Sequence, residues 1–198
     1  MSRVARLVAV LLAAVVLLPV AAHAEKVVTE DAMGDVVGFV GGSSFPDETV
    51  PAPDYAGVDI VRTAVDHGAR RLRVTARFRA MERDPFQFTV IRVKTPQKSY
   101  EITVERMGGK PVSTFDGGRN APECRGLKSK IDLSADLVTT SLPTSCLDTP
   151  RWVQVGVGAV AVSGDQTSPD LTAVYADDAH RTGEIRDNIA VGPKVRRG

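Results

Sequence analysis

The sequence predicts an all-β fold, an antiparallel two-layer β-sandwich of immunoglobulin-like or jelly-roll-like type closed by one disulfide. Three observations lead there. Beyond residue 24, apolar residues recur with period two, as Leu72, Val74, Ala76 and Phe78 do in RLRVTARFRA, and no helical stripe interrupts them. The alternating runs are short and regularly separated by turn residues, the pattern of a sandwich or barrel. Cys124 and Cys146 are the only cysteines, and an even count in an exported chain implies a bridge.

The elements follow in order. Residues 58–66 (VDIVRTAVD) form a strand rich in β-branched residues, HGAR a turn, and residues 71–80 the next strand, broken by MERDP with its Pro85. FQFTVIRV, the turn TPQK and SYEITVER come next, the last placing Tyr100, Ile102 and Val104 on one face and ending at Gly108-Gly109. In FQFTVIRV, Phe86, Phe88 and Val90 share one side while Ile91 and Val93 share the other, so the strand either bulges near Val90–Ile91 or is covered on both faces. PVSTF, 127–133, 137–142 and 152–162 complete the strands. A hairpin centred on Ala135 pairs Leu133 with Leu137 and Ile131 with Thr139, and brings Cys124 opposite Cys146. The Gly- and Pro-rich stretch 34–57 reads as a long loop, either a functional surface loop or a disordered one, and the polar stretch 176–198, ending KVRRG, as a solvated tail.

Residues 1–24 have the form of a secretory signal peptide: Arg3 and Arg6, an apolar run from Leu7 to Val20, then Ala22-His23-Ala24. The run is 14 residues, short of the roughly 20 that span a bilayer. The expectation is therefore a secreted, extracellular protein with one domain, residues 25–198, and no membrane span after cleavage. Removing two arginines takes Lys+Arg from 25 to 23 against 24 acids, so net charge passes from +1 to −1. Such a chain has no global field to recruit nucleic acid.

Chemistry-bearing motifs are sparse. There is no Gly-x-Ser-x-Gly, no His-Glu-x-x-His and no phosphate-binding glycine loop. His67 sits beside a Gly-containing turn, where an exposed ring is expected, and His180 lies in the loop-like DDAHRTG. Because a Ser-His-Asp triad assembles in space, a hydrolytic enzyme stands as an alternative reading. Haem would need a pair from His67, His180, Met33, Met81 and Met107, and no attachment motif accompanies them. Acids cluster at Asp31 and Asp35, at Asp54 and Asp59, and at Asp177-Asp178. Asp31, Asp35 and Asp59 are calcium candidates, since calcium takes hard oxygen ligands; turn chemistry explains the same residues. Among the aromatics Trp152 starts a strand and Tyr100 falls in phase with Ile102 and Val104, so both are expected in the core, which leaves Tyr55, in the long loop, as the candidate for stacking on a sugar.

DAMGDV, a long loop, then GVDIVRTAVDHGARRLRVTARF resembles secreted β-sandwiches of the DOMON-like group, to which family-nine carbohydrate-binding modules are related. Asp31, Gly34, Asp35, Asp59 and Ile60 occupy the places of the Asp-x-x-Gly-Asp entry and the Asp-Ile strand, and the match covers mainly residues 30 to 80. The resemblance implies a sandwich fold and a role in binding sugars or haem.

Arg71, Arg73, Arg77 and Arg79 share the outer face of their strand. They are either an ordinary wetted face, with Glu101, Glu105 and Asp66 as counter-charges, or a grip on an anionic polymer, since guanidinium forks match carboxylate and phosphate. The function expected is a non-catalytic binding module for an extracellular glycan or cell-wall polymer. A secreted or cell-surface protein, bound as an accessory or inhibitor, is the alternative partner.

Overall fold

The structure, a computed structural model, describes residues 25–40, 49–83, 86–107, 110–119, 123–163 and 173–198. The expected signal peptide (1–24), most of the expected long loop (41–48), Pro85 and Gly108-Gly109 lie outside the described residues.

The described residues form thirteen strands: β1 (Glu25–Glu30), β2 (Val37–Val40), β3 (Val50–Pro51), β4 (Ile60–His67), β5 (Arg71–Phe78), β6 (Phe86–Lys94), β7 (Ser99–Arg106), β8 (Val112–Asp116), β9 (Lys128–Asp132), β10 (Leu137–Pro143), β11 (Trp152–Ser163), β12 (Ala173–Asp178) and β13 (Lys194–Arg196). They form two antiparallel sheets. One has the order β1-β4-β5-β10-β9; the other runs β3-β2-β12-β11-β6-β7-β8, with β13 pairing β11. The inner faces meet in one core, because each strand buries alternate residues and the two apolar faces leave water together. β5 shows this directly: Leu72, Val74, Ala76 and Phe78 are all buried while Arg73 and Arg77 are exposed. From the other sheet come Ile91, Val93, Ile102, Val104, Val155 and Val157.

Cys124 and Cys146 are bonded, with Cα atoms 5.3 Å apart. The hairpin between β9 and β10 is one residue off the expected register: Leu137 pairs with Asp132 and Val138 with Ile131. Residues 133–136 form the turn, and Asp136 takes a left-handed conformation (φ 55°). The bridge does not depend on that register. Cys146 lies in a 3-10 turn, Thr144–Leu147, beyond the end of β10. Closing a 22-residue separation stabilises by about 3 kcal/mol on the chain-entropy account. The Cys124→Ser, Cys146→Ser double variant is expected to lose about that much in denaturant melts; an unchanged midpoint would show that the bridge constrains nothing.

Four expectations need correction. The stretch 176–198 is no solvated tail. β12 lies inside the larger sheet, β13 pairs β11, and the Gly198 amide donates to the His67 carbonyl. The pattern misled because Asp177 and Asp178, which look solvent-facing, are 2% and 3% exposed. The stretch 34–57 is not wholly loop, since β2 and β3 lie within it. β6 carries no bulge: it pairs β11 and β7 in unbroken register. Its inner face is Gln87, Thr89, Ile91 and Val93, while Phe86, Phe88 and Val90 lie half-covered outside. His67 is fully buried rather than turn-exposed, its Nδ1 3.2 Å from the Val195 carbonyl oxygen.

Candidate functional site

The arginine strand divides in two. Arg71 donates to the Ser141 hydroxyl (2.8 Å) and to the Gly126 and Ser141 carbonyls (both 2.9 Å). Arg79 pairs with buried Asp59 at 3.1 Å and donates to the Pro53 carbonyl at 2.7 Å. Both guanidiniums hold loops onto the sheet. Arg73 and Arg77 face solvent; Arg73 stands opposite Asp66 across the β4–β5 ladder, and Arg77 opposite Arg62. Glu101 and Glu105 cannot neutralise this face, because β7 belongs to the other sheet. Tyr55 is half-buried and stacks on Tyr175 with ring centroids 3.9 Å apart, so its ring is occupied by a protein partner. Tyr100 is buried, as expected, and its hydroxyl donates to Asp148. Trp152 is not a core residue as expected: Val153 and Val155 point inward, while Trp152 is half-buried on the other side of β11 with its ring under Lys194, 4.5 Å from Nζ.

A groove that sequence reasoning missed crosses the outer face of the larger sheet. Its volume is about 480 Å³, within the range of small-ligand sites. The ladder sets its floor: Gly158 lies between Asp178 and Val90, and Arg92 stands opposite Glu101, which stands opposite Asp116. Its wall is the segment 185–189. Arg92 fastens that wall by donating to the Asn188 side chain and the Ile189 carbonyl, at 3.2 and 3.0 Å. Arg181 adds a second clamp, 2.8 Å from Asp178 and bonded to the Asn188 carbonyl. Val90, Val160 and Ile189 supply apolar surface, and Glu101, Asp116 and Arg186 supply charge. The signal available in the sequence was Gly156 and Gly158 inside an otherwise β-branched strand, which marks close approach of another backbone.

A second constellation lies between the sheets. Asp31 and Asp35 come from the β1–β2 connection, Asp59 from just before β4, and Asp177 from β12. Carboxylate oxygens of Asp31, Asp35 and Asp177 all lie within 4.8 Å of one another. Each acid of the four is held by one oxygen. Asp31 accepts from the Ala32 amide, Asp35 from Gly183 at 3.3 Å, Asp177 from Ile60 at 2.7 Å and Asp59 from Gly34 at 2.8 Å. The Gly34 bond explains the glycine, whose φ of +79° disfavours any residue with a Cβ. Of the three expected calcium candidates, Asp31 and Asp35 stand together and Asp59 is their close electrostatic neighbour. Asp177 joins them from the far end of the chain, and Asp54 is exposed.

Burial, then the neighbouring acids, pushes Asp31 up to about 7 and Asp177 up to about 8, and burial also raises Asp35. Asp31 and Asp177 therefore hold protons in the folded state that the unfolded chain, with carboxyls near 3.8, has already released. By linkage their contribution is fully present below the unfolded value and is lost as pH rises through the folded values. With divalent ions chelated, the melting temperature is therefore expected to rise as pH falls from about 8.5 to about 6.5. Asp177→Asn should flatten that slope, and a flat or inverted wild-type profile would refute the assignment.

His67 is bonded to Val195, and burial holds both His67 and His180 below the ordinary histidine range. Comparison with protein-family models, with curated proteins and with solved structures finds no match.

Proposed function

We propose that this protein is a secreted, non-catalytic binding module whose ligand is an extracellular glycan or cell-wall polymer. The observation that carries the reading is the groove on the outer face of the larger sheet. It combines apolar floor residues, suited to the C–H faces of a sugar, with carboxylates and guanidiniums, suited to its hydroxyls. The DOMON-like resemblance of residues 30–80 supports the same class of ligand. The groove replaces Tyr55 as the candidate contact surface, because that ring is stacked on Tyr175. The arginine face is a weaker support, since only Arg73 and Arg77 of the four are exposed.

The test is depletion of the purified protein from solution by insoluble cell-wall polysaccharide. Glu101→Gln keeps the side chain's length but removes a charged acceptor from the groove. It is expected to weaken binding by roughly ten- to a hundredfold, the loss of one charge-assisted hydrogen bond of about 1.5–3 kcal/mol. The Arg73→Gln, Arg77→Gln pair is expected to leave both stability and binding nearly unchanged. Binding that fades with rising salt and disappears in the arginine pair while surviving Glu101→Gln would move the contact surface to the arginine strand. No retention on any wall fraction would overturn the reading.

A further inference from the structure

We propose that Asp31, Asp35 and Asp177, with Asp59 beside them, bind one calcium ion between the two sheets. The inference is independent of the glycan reading.

Two observations carry it. The first is the convergence of carboxylate oxygens within 4.8 Å. Ligands around a single calcium, each at 2.3–2.6 Å, are at most about 5 Å apart. The second is the state of the remaining oxygens. Asp177 is 2% exposed and Asp59 is 0% exposed, yet Oδ1 of each has no hydrogen-bond partner. Asp31 Oδ2 and Asp35 Oδ1 are likewise buried and unpartnered. In each of the four acids the partnered oxygen is fixed by a backbone amide, which leaves its twin bare. Buried polar atoms ordinarily find partners. Bare oxygens on Asp31, Asp35 and Asp177, three acids whose carboxylates converge, lack a cation rather than a single hydrogen bond.

The charge balance agrees. Arg79 pairs with Asp59 and Arg181 with Asp178. Among the described residues no lysine or arginine forms an ion pair with Asp31, Asp35 or Asp177. Negative charges buried this closely are costly without a counter-ion. The donors are all hard oxygens, with no thiolate or imidazole among them, which points away from zinc and copper. Calcium accepts a carboxylate-rich cage of irregular shape, whereas magnesium demands near-ideal octahedral geometry and keeps several waters.

An ion here would do structural work. Ile60 and Asp177 are 117 residues apart in sequence and belong to different sheets. The Asp177 carboxylate already ties β12 to the start of β4, and a cation would add the β1–β2 connection to the same knot.

The experiment is calorimetric titration of calcium chloride into purified, chelator-treated protein, paired with thermal melts. One site per chain is expected, with a Kd at or below the roughly 10⁻⁴–10⁻³ M of extracellular calcium modules, and a rise in melting temperature on saturation. Asp177→Asn, which preserves the acceptor for the Ile60 amide, should weaken binding by about tenfold or more, in keeping with the dependence of affinity on ligand charge. Asp35→Asn should do the same and carries the test if the buried Asp177 variant does not fold. Asp54→Asn, on an exposed turn, should bind as the wild type does. No heat and no melting shift up to about 10 mM calcium, or binding unaltered in both ligand variants, would overturn the proposal. Magnesium binding as tight as calcium binding would overturn the choice of ion. Loss of polymer retention with calcium binding intact, or the reverse, separates this site from the groove.

Discussion

Gly156→Ala is expected to displace the segment that walls the groove and to destabilise the protein by about 3 kcal/mol or more, the upper end of overpacking effects. A Cβ at this position would stand 1.9 Å from the Ala190 carbonyl oxygen and 2.8 Å from Ile189 Cγ2. The first clash is with backbone, so no rotamer change relieves it; either β11 or the 189–192 segment must move. That segment is held by the Gly192 backbone amide on the Val155 carbonyl (2.9 Å), the Gln154 side-chain amide on the Gly192 carbonyl (2.9 Å) and the Ala190 backbone amide on Asp178 (2.9 Å). Losing this register should open the groove and expose the chain between β12 and β13 to proteolysis. Denaturant melts read the stability, and limited proteolysis reads the segment. A variant with wild-type midpoint and wild-type protease resistance would mean that the segment is not seated on β11 as described.

Phe78→Ala is the second large effect, about 3–5 kcal/mol, the usual range for emptying a buried aromatic site. Phe78 is 1% exposed and sits at the end of β5 opposite Ile60. Its backbone amide donates to the Asp136 carbonyl, so the ladder holds the strand in place and the cavity cannot easily collapse. Arg77→Ala, one residue away on the wetted face, should cost less than about 0.5 kcal/mol, as surface substitutions usually do. The contrast between neighbours isolates burial from strand propensity. Equal losses at the two positions would sink the assignment of inner and outer faces.

The sites were legible to different degrees. Alternation marked Phe78 and Leu72 as core, because a strand's two faces are set by local geometry alone. The Asp31-x-x-Gly34-Asp35 pattern marked a turn carrying hard oxygen donors for a similar reason: it needs a glycine at positive φ, and its acids sit four residues apart. Asp177 could be noticed but not placed, since its position depends on a contact between the two sheets, the Ile60 amide donating to its carboxylate 117 residues away. The groove was invisible as a site. Its residues come from β6, β7, β8, β11, β12 and a connecting segment, and only Gly156 and Gly158 hinted that something pressed on β11.

Period-two alternation and the cysteine count were enough for the all-β class, the inner faces of β5 and β7, and the single disulfide. Each is a property of period-two alternation or of a residue type with one available partner. Tertiary structure decided the rest. It set which strands are neighbours, and so which arginines meet acids: Arg79 reaches Asp59 and Arg71 reaches Ser141, while Glu101 lies in the other sheet. It turned a polar C-terminal stretch into a structural one by burying Asp177 and Asp178 against backbone amides. It brought acids from both ends of the chain to one point. The physical reason is common to all of these. Local periodicity specifies which side of a strand avoids water, but the partner of a buried charge is chosen by long-range strand pairing, whose register no short stretch of sequence contains.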